Sequence, residues 1–201
     1  FLYYAIAVDP TMLVALGSIA ADQANATERT YDAAVWLLNY ADSNPDATIR
    51  YVASDMILHL HSDASYLSAP KARSRAGGHF FLSSLSTDPT LPPTDLPPQN
   101  GPLHTVSKIL RNVMGSAAEA EIGATYVNCQ EAMPIRTTLA EMGHPQPRTP
   151  VQVDNSTACG FANDTIKQKR SKAIDMRFHW KKDRMTQLQF LVYWRPGHTN
   201  K

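Results

Sequence analysis

The stretch MILHLHSDASY, residues 56 to 66, decides the fold, because it joins a strand-like run to an acidic side chain. From Met56 to His61 the residues have the period and composition of a β-strand. Asp63 follows at the end of this run. The stretch therefore predicts a strand that carries a carboxylate to one rim of an α/β sheet.

Two other carboxylates occur in related settings. Asp154 closes the apolar run 151–153, and Glu119 lies in the first turns of a helix that Ser116 is predicted to cap. Any one of these acids alone is typical of a cap or a turn. Together, carboxylates that an α/β sheet gathers from distant parts of the chain indicate a site for divalent metal ions.

Composition and charge limit the class of protein. The chain has 201 residues, of which 43% are apolar, so we expect one main domain with a smaller appendage. Residues 1–160 hold 9 Lys and Arg against 15 Asp and Glu, whereas residues 161–201 hold 10 against 3, which indicates an anionic partner for one face. The two cysteines favour a reducing compartment. The apolar residues 1–8 are too few to span a membrane.

The predicted elements change character near residue 48. Before it, Asp9-Pro10 and Thr27-Glu28 each begin a helix. After it, the predicted strands are 49–52, 56–61, 79–82, 103–113, 151–153 and 188–193. The predicted helices are 117–131, a further stretch to residue 143 after a kink or restart at Pro134, one capped by Asn155-Ser156-Thr157, and the basic helix 171–185. This order predicts a mixed α/β sheet.

Five short motifs follow one another along most of the chain. They are SDASY at 62–66, GHFFL at 78–82, SAAEAE at 116–121, DN at 154–155 and KAIDMRFH at 172–179. In this order they resemble the ribonuclease H domain of copia-type LTR-retrotransposon polyproteins. The resemblance implies a mixed five-stranded ribonuclease H-like sheet flanked by helices, with an N-terminal helical extension. Residues 1–47 would be the helical tail, or connection segment, of a reverse transcriptase, and 48–201 the ribonuclease H-like domain.

The resemblance also implies a metal site. The catalytic and metal-binding acids of the family fall on Asp63, Glu119 and Asp154, which would hold two Mg²⁺ ions, or Mn²⁺, with Asp63 bridging them. Glu121 points about 200° around the helix from Glu119 and is the weaker candidate. The family's further aspartate, expected a few residues beyond 194–198, does not occur before the last residue. We therefore expect a C-terminally truncated domain with an incomplete site.

The implied activity is hydrolysis of the RNA strand of RNA/DNA hybrids during retrotransposon reverse transcription. The implied partners are the hybrid and the remainder of the polyprotein, including its reverse transcriptase, and no membrane. The implied location is a cytoplasmic virus-like particle or the nucleus. Six basic residues are predicted to contact nucleic acid: Arg73, Arg75, Lys108, Arg111, Lys172 and Arg177.

Three alternatives stay open. The chain is either an active enzyme or a truncated, inactive remnant that only binds nucleic acid or serves as a structural module. His59, His61 and Asp63 share one strand face with a spacing seen in zinc sites, but no fourth ligand is placed by the sequence. An integrase-type transferase shares the fold, but there the acids run Asp, Asp, Glu, and here the glutamate comes second.

Overall fold

The computed structural model describes residues 1–84, 98–162 and 172–197. The chain divides into two compact units, Phe1–Arg50 and Tyr51–Lys201. The sequence analysis placed the domain boundary between residues 47 and 48. The assignment of the first unit to a reverse transcriptase tail stays a prediction.

The first unit is helical. Asp9 caps its second helical segment, since the Asp9 Oδ1 accepts a hydrogen bond from the Thr11 backbone N–H at 3.2 Å. Thr27 and Thr30 form a reciprocal capping box at the start of the third helix. Both predicted helix starts are therefore confirmed. The helices are α1 (Leu2–Ala7), α2 (Leu13–Asp22) and α3 (Glu28–Ser43), with 3-10 turns at Pro10–Met12 and Gln23–Asn25.

The second unit contains a five-stranded mixed sheet. Its strands are β1 (Ile57–Ala69), β2 (Arg73–Ser83), β3 (Pro102–Ile109), β4 (Thr149–Val153) and β5 (Phe190–Trp194), in the spatial order β3-β2-β1-β4-β5. The first three strands are antiparallel, and β4 and β5 run parallel to β1 and to each other. The predicted fold class is therefore confirmed.

Three helices accompany the sheet: α4 (Ala117–Glu141), α5 (Ser156–Ala162) and α6 (Lys172–Thr186). The long helix α4 packs on the sheet because alternate strand residues form a hydrophobic core with it. This core includes Leu58, Leu60, Phe80, Cys129, Ala132, Leu139, Val151 and Val153. None of the described helices is both long and apolar enough to cross a bilayer.

Several local predictions were wrong. Among them are two strand ends, because β1 continues past residue 61 to Ala69 and β3 ends at Ile109 rather than at residue 113. Residues 49–52 form no strand. The Tyr51 hydroxyl donates a hydrogen bond to the Pro102 carbonyl oxygen, and the Val52 N–H donates to the side-chain oxygen of Asn100. Pro134 does not interrupt α4. A proline removes one helical hydrogen bond, but Ala132 and Leu139 on either side of it pack into the same core and hold the helix together.

The core makes a stability prediction. Leu60 is 0% exposed and Leu103, on edge strand β3, is 47% exposed. Leu60→Ala should lower the free energy of unfolding by about 2 to 5 kcal/mol, because it leaves a cavity, whereas Leu103→Ala should change it by less than about 1 kcal/mol. Urea denaturation followed by circular dichroism measures both. Equal losses in the two variants would contradict the assigned core.

Candidate metal centre

Two neighbouring strands bring Asp63 and Asp154 together. Asp63 lies within β1, opposite Gly77 of β2. The parallel pairing of β1 with β4 sets His61 beside Gln152, and β4 ends one residue later. Continued by two residues, this register brings Asp154 beside Asp63. The alignment explains why residues 91 positions apart in sequence share one rim of the sheet.

Helix α4 brings a third carboxylate to the same place. Glu121 lies in its second turn and is only 4% exposed. Its Oε1 accepts a hydrogen bond from the backbone N–H of Ala64 at 2.8 Å, so the side chain reaches β1 directly beside Asp63. Ligand oxygens of Asp63, Glu121 and Asp154 all lie within 4.8 Å of one another. Asp63 is exposed and Asp154 half-buried, so the group is open to solvent on one side.

The structure places a different glutamate beside the two aspartates. The family resemblance implies Glu119 as the metal ligand, whereas the side chain that lies with Asp63 and Asp154 is that of Glu121. Glu119 Oε2 accepts from the Gly115 N–H at 2.7 Å, while Ser116 Oγ accepts from the Glu119 N–H at 3.1 Å. Glu119 therefore caps the N-terminus of α4. Since two residues are about 200° apart on a helix, only one of the two glutamates can face β1.

Signals for the right glutamate were present in the sequence. The Ser-x-x-Glu spacing of Ser116 and Glu119 is that of a capping box, which assigns Glu119 to the helix terminus. Thr125 and Asn128 follow Glu121 by four and seven residues, so these polar side chains share one helix face. All three are buried. A polar face on a helix that packs on a sheet indicates where a site lies.

The electrostatics of the group favour a bound cation. Burial, together with the nearby Asp63 and Asp154 carboxylates, raises the pKa of Glu121 to about 8. Burial and then Asp63 also raise the pKa of Asp154. The buried Glu121 Oε2 has no hydrogen-bond partner among the described residues. A hard divalent cation bound by carboxylate oxygens would relieve this repulsion, so the residues present fit such an ion.

The zinc alternative gains no support. In the described part of the chain, the acidic group is the one cluster of three potential ligands, and neither His59 nor His61 belongs to it. His59 instead stacks on Phe81 with ring centroids 5.5 Å apart, and burial lowers the pKa of His59 to about 4. The His61 ring meets the same phenyl ring edge-on at 5.0 Å. These histidines pack in an aromatic layer of the sheet.

Asp154 is held by residues near the end of β5. The indole Nε1 of Trp194 donates a hydrogen bond to the Asp154 backbone oxygen at 2.9 Å. A Cβ atom at Gly197 would lie 3.1 Å from Asp154 Oδ2, so the backbone passes close to this carboxylate. Asn155 Oδ1 accepts from the Ala158 N–H at 3.0 Å, which confirms the predicted cap of α5. These contacts fix the third acid at the rim.

The chain is similar in sequence to the retrovirus-related Pol polyprotein from transposon TNT 1-94 of Nicotiana tabacum, which is 24% identical over 179 residues. The match covers 89% of this chain and 12% of the polyprotein, so the chain spans a small part of that relative's length. No protein-family model matches the chain. The predicted resemblance to a retrotransposon Pol polyprotein is therefore confirmed.

Solved structures give the fold. LC11-RNase H1, isolated from compost by a metagenomic approach, matches with a TM-score of 0.51 and 14% identity over 72% of this chain and 88% of that chain. The chain has a ribonuclease H fold. The same enzyme in complex with an RNA/DNA hybrid gives a TM-score of 0.49 and 13% identity, over 71% of this chain and 88% of that one.

The predicted nucleic-acid contacts are only partly at the surface of this ribonuclease H fold. Arg111 and Lys108 are exposed, and Lys108 Nζ lies 3.8 Å from Glu131 Oε1. Arg73 is half-buried and donates to the Pro70 carbonyl oxygen at 3.2 Å. The side chains of Lys172 and Arg177 lie outside the described residues.

Two basic residues are less exposed than the sequence suggested. Arg75 is 8% exposed. It lies on β2, the strand that pairs with β1, and donates a hydrogen bond to Ser107 Oγ of β3 at 3.3 Å. Lys181 of α6 is also buried, and its Nζ lies 3.5 Å from the Ile122 carbonyl oxygen. Burial lowers the pKa of Lys181 to about 8. Among the six predicted contacts, the exposed residues that the structure describes are therefore Lys108 of β3 and Arg111 in the loop after it.

The raised pKa of Glu121 makes a pH prediction. Because its pKa is about 8 in the folded chain and 4.5 in the reference state, the folded chain binds more protons between these values. The contribution of Glu121 to the free energy of unfolding is full below about pH 4.5 and is lost as the pH rises through about 8. Each unit of difference between the two pKa values corresponds to about 1.4 kcal/mol. In buffer with a chelator, unfolding free energy should therefore fall from pH 5 to 8.5, and Glu121→Gln should flatten this fall.

The control for the pH prediction is Glu119→Gln. This change removes a half-buried capping carboxylate that lies outside the acidic group, and it should leave the slope of stability against pH as it is in the unaltered chain. Urea titrations at several pH values supply the measurement. An equally steep fall in the Glu121→Gln variant would show that another group controls it.

Proposed function

We propose that the chain is a divalent-metal-dependent nuclease that hydrolyses the RNA strand of RNA/DNA hybrids during retrotransposon reverse transcription. The observation that carries the proposal is the grouping of Asp63, Glu121 and Asp154 oxygens within 4.8 Å on a ribonuclease H fold. The similarity to a retrovirus-related Pol polyprotein supports the biological setting. In that setting the chain acts as one part of a longer polyprotein.

The three carboxylates are the proposed ligands of Mg²⁺ or Mn²⁺, with two ions as in the sequence-based expectation. Bound divalent ions neutralise charge on a scissile phosphate and lower the pKa of a coordinated water. Asp63 is the exposed acid, so it is the ligand that a phosphodiester reaches first. Glu121 lies behind it, held by the Ala64 N–H, and must give up a proton when a cation binds near neutral pH.

The proposed substrate follows from the surroundings of the acids. Lys108 pairs with Ala76, which is next to the Gly77 that pairs with Asp63, and the exposed Arg111 follows β3. Both place positive charge where phosphates of a duplex can bind. An RNA/DNA hybrid presents 2′-hydroxyl groups on one strand only, so a protein that reads the shape of the minor groove can distinguish its strands. We therefore expect cleavage of hybrids and not of double-stranded DNA.

Glutamine and asparagine substitutions test the proposal. Asp63→Asn, Glu121→Gln and Asp154→Asn each remove one carboxylate while preserving shape, and each should lower the rate of hybrid cleavage about 100-fold or more. Glu119→Gln is the matched control on the same helix, and it should keep the rate within about threefold while costing about 0.5 to 2 kcal/mol of stability. Cleavage of a labelled hybrid in Mg²⁺ or Mn²⁺ gives the rates.

Two results would contradict this assignment. Activity that survives Glu121→Gln and disappears with Glu119→Gln would restore the glutamate chosen from sequence. Tight binding of hybrid by the unaltered chain without any cleavage, in either metal, would favour the alternative of an inactive nucleic-acid-binding module.

The basic residues make a separate prediction on binding. If Arg111 contacts a phosphate, Arg111→Ala should weaken hybrid binding at low salt and reduce the slope of log K against log salt concentration by about one. Arg148→Ala is the control, because Arg148 lies at the opposite end of β4 from Asp154 and is therefore separated from the acids by the length of that strand. Fluorescence anisotropy at four salt concentrations measures the slopes. Identical slopes for the two variants would remove Arg111 from the interface.

A further inference from the structure

Helix α4 carries a buried amide side chain on the face of Glu121. Asn128 lies seven residues after it, which is two helical turns, and is 0% exposed. A buried amide costs free energy unless its polar atoms are hydrogen-bonded, and the next positions along this face toward the end of α4 are apolar, Ala132 and Leu139. An amide at residue 128 therefore needs a specific explanation.

The hydrogen bonds of Asn128 converge on the neighbours of Asp63. Its Nδ2 donates to Ser62 Oγ at 2.9 Å and to the Gly77 carbonyl oxygen at 2.7 Å. Ser62 precedes Asp63 in β1, and Gly77 is the residue paired with Asp63 across the ladder to β2. One amide group thus ties α4 to both strands next to the first acid.

Glu121 makes the complementary contact on the other side of Asp63. Its Oε1 accepts from the Ala64 N–H, so two side chains of α4 bond to the residues directly before and after Asp63. Together they set the spacing between helix and strand at the position where Glu121 and Asp63 must approach each other. The Asn128 bonds resist any increase in this spacing.

The absence of a side chain at Gly78 leaves the space that the Asn128 amide occupies. A Cβ atom at Gly78 would lie 2.4 Å from Asn128 Oδ1 and 2.8 Å from its Cγ, so any side chain there would displace the amide. The two donated bonds fix the orientation of the amide with Oδ1 toward Gly78. The close approach of β2 to α4 at this point therefore depends on both residues.

We propose that Asn128 is a positioning residue of the metal centre, which holds Glu121 of α4 at ligand distance from Asp63 of β1. The inference rests on the proposed function, since it assigns Asn128 to the carboxylate site of that function. Residues that orient metal ligands through hydrogen bonds typically change metal affinity by 10- to 100-fold when they are removed.

Direct metal binding tests the proposal without reference to catalysis. Asn128→Ala should raise the Kd for Mn²⁺ about tenfold or more, measured from the free Mn²⁺ signal by electron paramagnetic resonance in the full chain. Hybrid cleavage by the same variant should fall at limiting Mg²⁺ and recover toward the unaltered rate at saturating Mg²⁺. A loss of structure alone would not shift the metal dependence in this way.

Leu139→Val is the control for general destabilisation. Leu139 is buried in the same helix but lies 18 residues after Glu121, which is about 27 Å along the helix axis. This variant should be less stable and should bind Mn²⁺ as the unaltered chain does. An unchanged Mn²⁺ Kd in Asn128→Ala, or an equal weakening in Leu139→Val, would overturn the positioning role.

Two further variants keep the test decisive if Asn128→Ala does not fold. Ser62→Ala removes one acceptor of the amide with little change in volume and should raise the Mn²⁺ Kd severalfold. Gly78→Ala should weaken Mn²⁺ binding by displacing the amide, and adding Asn128→Ala should then cost less than it does alone. Unchanged affinity in Ser62→Ala and Gly78→Ala would contradict the inference.

The outcomes also separate this inference from the proposed function. If the unaltered chain binds no Mn²⁺, or if Asp63→Asn does not weaken binding, the metal site itself is wrong. If the unaltered chain binds Mn²⁺ through Asp63 and the Asn128 and Ser62 variants bind equally well, the metal site stands and the role of Asn128 is rejected.

Discussion

The confinement of three carboxyl groups in one partly buried place is the constraint on which the site depends. Oxygen atoms of Asp63, Glu121 and Asp154 lie within 4.8 Å of one another, so ionising all three groups is costly. Burial and then the neighbouring carboxylates raise the pKa of Glu121, and burial and then Asp63 raise the pKa of Asp154. The surrounding structure must therefore hold these groups together, and a bound cation would relieve the cost.

The fold meets this constraint with a few rigid elements. Parallel pairing of β1 with β4 brings the two aspartates side by side, and α4 crosses the sheet with Glu121 toward β1. Further along α4, Ala132 and Leu139 pack into an apolar core. The helix thus has a polar section at the site and an apolar section that anchors it. The free-energy cost of burying the acids is offset by apolar packing further along the helix.

Much of this arrangement could be predicted from sequence, because strand periodicity reports local environment. The run before Asp63 and the short run before Asp154 both read as strands. Asp154 directly follows β4 as expected, whereas β1 continues past Asp63 to Ala69. Glu119 and Glu121 could not be separated by propensity, since both lie in the first turns of one helix. The direction of the helix face distinguishes them, because the capping-box spacing assigns Glu119 to the helix terminus and the polar residues Thr125 and Asn128 share the face of Glu121. Pro134 shows the same limit, because packing on both sides overrides a local helix breaker.

The most direct test of the account is a crystal structure of the full chain grown with Mn²⁺, with anomalous scattering used to locate the ion. We predict an anomalous peak between Asp63, Glu121 and Asp154, with the Glu121 carboxylate among its ligands and Glu119 still bonded to the Gly115 N–H. The absence of a peak at these acids under saturating Mn²⁺, or an ion bound by Glu119 with Glu121 turned away, would contradict the account.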